Sequence, residues 1–166
     1  MAVSEAELES LAAEVGQALR RKDWMLATAE SCTGGWIAQV STAIAGSSEW
    51  FERGFATYSN AAKQEMLGVR TETLMQHGAV SEATVCEMAT GALAASRAQI
   101  AVAVSGIAGP GGGTAEKPVG TVWIAWAGAA GVVATRYHFT GDRQAVRAQT
   151  VQQALYGVLA WAERGD

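Results

Sequence analysis

Hydrophobic and polar positions switch between two periods along this chain. Residues 4 to 22 follow the helical one: Leu8, Leu11, Ala12, Val15, Ala18 and Leu19 fall on one face. Ser4 and Glu7 have capping-box spacing, and Arg20, Arg21 and Lys22 complement the C-terminal end. A short apolar run, Trp24-Met25-Leu26-Ala27, then predicts a strand. Apolar periodicity returns at Trp36 and predicts a helix to about Ala45, broken by Gly46-Ser47-Ser48. Glu52 to Tyr58 is strand-like. Ser59-Asn60 would cap a short helix from Ala61 to Leu67, ended by Gly68, and Thr71 to Gln76 predicts another, stopped by Gly78. Ser81-Glu82 opens a long Ala-rich helix to about Arg97. Gln99 to Val104 is wholly apolar apart from its first residue, the pattern of a strand buried on both faces. Val119 to Ala127 and Val132 to Phe139 read as an antiparallel hairpin turning at Gly128-Ala129-Ala130-Gly131. A last helix is predicted from about Arg143 to Ala162, with Val146, Thr150, Val151, Ala154, Leu155 and Val158 toward the core.

Helices alternating with short buried strands, plus one hairpin, predict an α/β fold: a three-layer α/β/α sandwich with a mixed sheet. The 166 residues show no repeat and no linker, so one domain, 1–166, is expected. Composition supports a packed core, with 49% hydrophobic and 17% charged residues. A formal net charge of −4 and the lack of a Lys/Arg cluster argue against a nucleic-acid partner. No apolar stretch is long enough to span a bilayer, and the acidic start (Glu5, Glu7, Glu9) is not that of a signal peptide. Cys32 and Cys86 form no CxxC, which fits a reduced cytoplasm. Six tryptophans exceed what a small core readily hides, so Trp50-Phe51 and Trp161 are expected at the contacts of a homodimer.

Three stretches rich in Gly and hydroxyl residues lie beside predicted strands: Ser31 to Gly35, Tyr58 to Lys63, and Ser105 to Thr114. Loops at strand ends build the ligand crevice of an α/β sheet, so one composite site is expected. Ser31 would sit in a turn ahead of a helix, with Thr33, Gly34 and Gly35 at the helix N-terminus, where free N–H groups favour an anion or oxyanion. Ser31 there reads either as a nucleophile or as a plain helix cap. Cys32 is a rival nucleophile or a small packing residue. His77 and His138 have no sequence partners for a triad, and no His/Cys/carboxylate pair has helical metal-ligand spacing. The Ser105–Thr114 loop lacks the Lys of a Walker sequence and no helix follows it; it reads as a connection or as a nest of N–H groups. Lys63 reads as a solvated helix lysine or, if buried, as a neutral amine able to take the Ser31 proton directly or through the Tyr58 hydroxyl.

Six motifs in one order carry a resemblance. They are Thr28-Ala29-Glu30-Ser31-Cys32-Thr33-Gly34-Gly35, Gly54-Phe55-Ala56-Thr57-Tyr58-Ser59-Asn60-Ala61-Ala62-Lys63, Gly78-Ala79-Val80-Ser81, Ser105-Gly106-Ile107-Ala108-Gly109-Pro110-Gly111-Gly112, Lys117-Pro118-Val119-Gly120-Thr121-Val122, and Gly141-Asp142-Arg143. Over roughly residues 5 to 162 the chain resembles the CinA C-terminal domain family, bacterial nicotinamide-nucleotide amidases. The resemblance implies hydrolysis of nicotinamide mononucleotide to nicotinic acid mononucleotide and ammonia, without metal or organic cofactor. It implies Ser31 as nucleophile with Lys63 and Tyr58 as base and proton relay. Substrate contacts would come from Thr33, Gly34 and Gly35, from Ser105, Gly106, Gly109, Gly111 and Gly112, and from the last helix. There Arg143 and Arg147, one turn apart, would reach the phosphate or carboxamide, or stay solvated. Thr33 would cap the helix and Ser105 would hydrogen-bond substrate. Some family members carry an extra N-terminal domain, which this chain is expected to lack. Two other functions fit the same loops: a nucleotide-binding module without turnover, and an amidase for another small amide.

Overall fold

Strands β1 (Leu26–Glu30), β2 (Phe51–Ala56), β3 (Ile100–Gly106), β4 (Thr121–Gly128) and β5 (Gly131–His138) form one mixed sheet in the order β2-β1-β3-β4-β5. The structure, a computed structural model, describes residues 2–164. Residues 1, 165 and 166, the ends of the expected domain, lie outside the described residues. β1 runs parallel to β2 and β3, with Thr28 opposite Gly54 on one side and Val102 on the other. β3, β4 and β5 are antiparallel, and β4–β5 is the expected hairpin.

Among the described residues, six α-helices complete the three layers: α1 (Glu5–Lys22), α2 (Trp36–Thr42), α3 (Asn60–Leu67), α4 (Thr71–His77), α5 (Glu82–Ala94) and α6 (Arg143–Arg164). On one face α1, α2 and α6 bury Leu8, Ile37 and Leu155 against Leu26, Val104 and Ile124 of the strands. On the other, α5 buries Val85, Met88 and Ala92 against a floor of alanines, Ala27, Ala29, Ala101, Ala103, Ala125 and Ala127. The floor follows from strand periodicity: alternate side chains point to opposite faces, and the alanines of β1, β3 and β4 share one of them, with Phe55 and Trp123 packed alongside.

The caps fall where the sequence puts them. The Ser4 hydroxyl accepts from Glu7 N–H and the Ser59 hydroxyl from Ala62 N–H, while Gly68 closes α3 at φ 71°. Two helices end early: α2 stops at Thr42 rather than Ala45, and α5 at Ala94 rather than Arg97. Beyond Thr42 the bonding tightens from four residues to three, with Ile44 N–H on Ser41 O and Ser47 N–H on Ile44 O, and the α-helix stops. The tryptophan expectation is overturned. Trp50 is wholly buried and Trp161 nearly so. Helix glycines make the room: a Cβ on Gly16 would lie 2.5 Å from the Trp50 indole, and one on Gly157 2.1 Å from that of Trp126. Sequence composition counted the indoles without seeing the glycines opposite them.

Candidate active site

Ser31 follows the last residue of β1, Thr57 and Tyr58 follow β2, and Ser105 and Gly106 end β3. All three parallel strands therefore deliver their C-terminal ends to one place. The connection from β1 crosses to β2 on the α2 face, whereas the connection from β2 returns on the α5 face and passes β1 to reach β3. The chain reversal beside β1 opens a crevice there, as in other open α/β sheets. A cavity of about 260 Å³ occupies it. Ser31, Cys32, Lys63, Ala79, Val80, Ser105, Gly106 and Ala108 line it, and Tyr58 reaches it from the loop after β2 and Arg143 from α6. A larger recess of about 600 Å³ near Val3, Trp36 and Gln149 has no serine, cysteine, histidine or lysine among its lining residues.

Lys63 stands at the centre. Its side chain is buried, only 1% exposed, and its Nζ lies 2.9 Å from Ser31 Oγ. The same nitrogen donates to the backbone carbonyls of Thr57 (2.9 Å) and Tyr58 (3.0 Å). Carbonyls only accept, so these two contacts fix two N–H bonds, and the remaining tetrahedral position faces Ser31. Burial pushes the Lys63 pKa down from the ordinary lysine range, because desolvation disfavours the ammonium. In the neutral amine the position facing Ser31 holds the lone pair. The solvated reading of Lys63 is therefore excluded.

The structure departs from the expected relay. The Tyr58 hydroxyl does not stand between Ser31 and Lys63, which touch directly. It lies 3.4 Å from Arg143 Nη2, on an exposed side chain. Tyr58 serves the pair through its carbonyl instead. Cys32 is buried, and desolvation, with Glu30 adding to it, holds its thiol at about 12. A thiol so far from ionisation is a poor nucleophile.

The turn after β1 is held by two side chains. Glu30, 1% exposed, accepts from Ile37 N–H (2.8 Å), Ala38 N–H (3.0 Å) and the Thr33 hydroxyl. Burial pushes its pKa up, against the pull of those hydrogen bonds. Arg147 donates from Nε to Cys32 O (3.0 Å) and from Nη2 to Thr33 O (3.1 Å), with its guanidinium over the Trp36 ring. Ser31 N–H donates to Val104 O, and Gly34 N–H to Ser31 O. Gly34 and Gly35 hold φ of 62° and 106°, a region that only glycine enters cheaply. Among the described residues, the amides of Cys32 and Thr33 donate to no protein oxygen.

Several expected contacts are thus reassigned. Thr33 caps no helix; its hydroxyl donates to Glu30, and Glu30 does the capping. Gly34 and Gly35 shape the turn and do not line the cavity. Ser105 lines it, but its hydroxyl donates to Ala79 O (2.8 Å), tying down another lining residue. Gly106 lies on the cavity, whereas Gly109 contributes its carbonyl to Arg143 Nη1 (2.8 Å). Gly111 and Gly112 are exposed and lie off it. Arg143 reaches the cavity and Arg147 does not. Glu30 had no assigned role in the sequence. Its signal was a charged residue closing a strand buried on both faces, seven positions ahead of the helix amide it caps. Among the described residues no three His, Cys, Asp or Glu side chains gather as a metal site, and no helix is long and apolar enough to cross a membrane.

Fold and site define a three-layer α/β protein with a buried hydroxyl–amine pair at the crevice of its parallel strands. The chain belongs to the CinA C-terminal domain family, whose model matches residues 8–161. It is 62% identical over 154 residues to the nicotinamide-nucleotide amidohydrolase PncC of Escherichia coli K12, covering 92% of this chain and 93% of that one. The protein of the same name from Pseudomonas putida is 54% identical over 152 residues, covering 92% and 95%. The crystal structure of the competence/damage inducible protein CihA from Agrobacterium tumefaciens superposes with a TM-score of 0.91 at 48% identity, covering 96% of this chain and 97% of that one.

Proposed function

We propose that this chain hydrolyses the carboxamide of nicotinamide mononucleotide, releasing nicotinic acid mononucleotide and ammonia, as a cytoplasmic enzyme of pyridine-nucleotide salvage. The 2.9 Å contact between Lys63 Nζ and Ser31 Oγ carries the reading. Relatives named for this activity at 54–62% identity support it.

An amide is a poor acyl donor, so covalent catalysis helps by dividing the reaction. Neutral Lys63 takes the Ser31 proton as Oγ attacks the carboxamide carbon. The oxyanion of the tetrahedral intermediate meets the Cys32 and Thr33 amides, which donate to no protein oxygen. Lys63 then gives its proton to the departing nitrogen, and ammonia leaves an ester on Ser31. Water attacks that ester as Lys63 takes its proton. Lys63 returns the proton to Ser31 Oγ as the acyl C–Oγ bond breaks, and the product acid loses its own proton to solvent and leaves as its carboxylate. Arg143, at the mouth of the cavity, would meet the nucleotide phosphate.

Ammonia release from nicotinamide mononucleotide tests the proposal. Wild type is expected to release it, Ser31→Ala to fall by at least about 10³-fold, and Cys32→Ser to stay active. Equal rates in wild type and Ser31→Ala remove the nucleophile. Tight nucleotide binding without ammonia selects a binding module, and turnover of other amides alone selects a different substrate. The homodimer is likewise a proposal, and the burial of Trp50 and Trp161 has removed its tryptophan argument. A monomer mass in light scattering rejects it.

A further inference from the structure

Glu30 is the most deeply buried carboxylate beside the cavity, yet the reaction above does not use it. Burying a carboxylate is costly, with several kcal/mol of effective desolvation typical for an ion. A helix start needs no such group: Ser, Thr, Asp or Asn at the cap position does the same work from the surface. Here the cap position is Gly35, which has no side chain, and the acceptor reaches in from the end of β1. The connection forms a closed ring. The chain leaves Glu30, passes through Ser31 and the turn, enters α2, and returns through Ile37 and Ala38 N–H to the Glu30 carboxylate. Thr33 ties the middle of the ring to the same carboxylate. Ser31 is the first residue inside it.

We propose that Glu30 is a positioning residue for the amidase reaction: it locks the Ser31–Gly35 turn so that Ser31 Oγ stays on Lys63 and the Cys32 and Thr33 amides keep their direction. The proposal rests on the Ser31 nucleophile reading above. Glu30 does not touch the cavity, so its effect falls on the geometry of attack and not on substrate binding. It also takes the positive end of α2, which leaves the turn amides as the oxyanion donors.

Glu30→Gln is the test. Glutamine keeps the length and one acceptor oxygen, but it points an NH₂ donor at a partner that is itself a donor. With the folded fraction measured by near-ultraviolet circular dichroism, kcat per folded molecule is expected to fall at least tenfold. KM should stay within threefold, and labelling of Ser31 by a fluorophosphonate should slow by a factor similar to that in kcat. The pH midpoint of kcat should not move. A kcat per folded molecule within threefold of wild type means that Glu30 is only structural and overturns the proposal. A shifted midpoint makes Glu30 a charge partner of the base, which overturns it too. If Glu30→Gln does not fold, Thr33→Val decides: slower labelling and lower kcat support the lock, and unchanged values refute it. Failure of the nucleophile reading is separate, because it appears as wild-type enzyme that no fluorophosphonate labels.

Discussion

Two glycine-rich turns follow buried strands in this chain, and they have opposite fates. Ser31–Gly35 after β1 is held by two charged side chains, Glu30 on one side and Arg147 on the other. Gly109–Gly113 after β3 stands out of the cavity and meets one charged side chain, Arg143 at Gly109 O, and a Cβ on Gly111 would meet nothing within 4 Å. Composition does not separate them. What does is the reach of charged side chains from elsewhere: Glu30 from the strand before, Lys63 from α3, Arg147 from α6. A turn becomes a site when side chains converge on it, and glycine content alone only permits the bend.

The sharpest way to break this contrast is to remove the converging base. Lys63→Met is expected to lower kcat by about 10²–10⁴-fold, the usual contribution of a positioned general base. The proposed mechanism needs the free amine, so wild-type kcat should rise with pH through the depressed pKa of Lys63 and level off above it. Stability follows the same sign. Between the folded pKa and the ordinary lysine value of 10.5, the unfolded chain binds more protons than the native one, so native stability rises with pH. The Tm of wild type should therefore gain on that of Lys63→Met as pH is raised from neutral. A constant difference would mean that Lys63 titrates alike in both states.

A smaller effect separates the two arginines. Arg143→Ala removes the guanidinium at the cavity mouth and is expected to raise KM for nicotinamide mononucleotide about tenfold, roughly 1.4 kcal/mol, with kcat within threefold. A fall in kcat at constant KM would instead give Arg143 the role the structure gives Arg147. The smallest effects test the turns directly. Gly34→Ala forces a Cβ onto a backbone at φ 62° and should cost about 1–2 kcal/mol of stability. Gly111→Ala should change stability by less than about 0.5 kcal/mol and leave turnover within twofold. Thermal unfolding of the pair would reverse the contrast if Gly111→Ala proved the worse.

Much of the fold was legible because long amphipathic segments state their face plainly. The α1 and α6 core positions named from periodicity are all buried, and the β4–β5 hairpin turns at its predicted glycines. Helix ends were less legible, since α2 stops where a turn hydrogen bond replaces the helical one. In the site, the pairing of Ser31 with Lys63 came from the family resemblance, because spacing alone left Lys63 either solvated or a base. Glu30 was not legible, because capping rules look at the first residues of a helix and not at a strand seven positions earlier. Arg143 and Arg147 share a helical face by spacing. Yet only the structure shows that one guanidinium turns to Gly109 and Tyr58 and the other to Cys32 and Thr33.

The grip of Arg147 on the Ser31 turn joins residues more than a hundred positions apart. During synthesis, the strand carrying Ser31 and the helix carrying Lys63 leave the ribosome long before α6 exists. A nascent chain halted in the hairpin would hold both members of the reacting pair but lack one of the two grips that set their turn. Hydrolytic competence therefore belongs to the finished chain, and the last helix acts as the signature that the fold has closed.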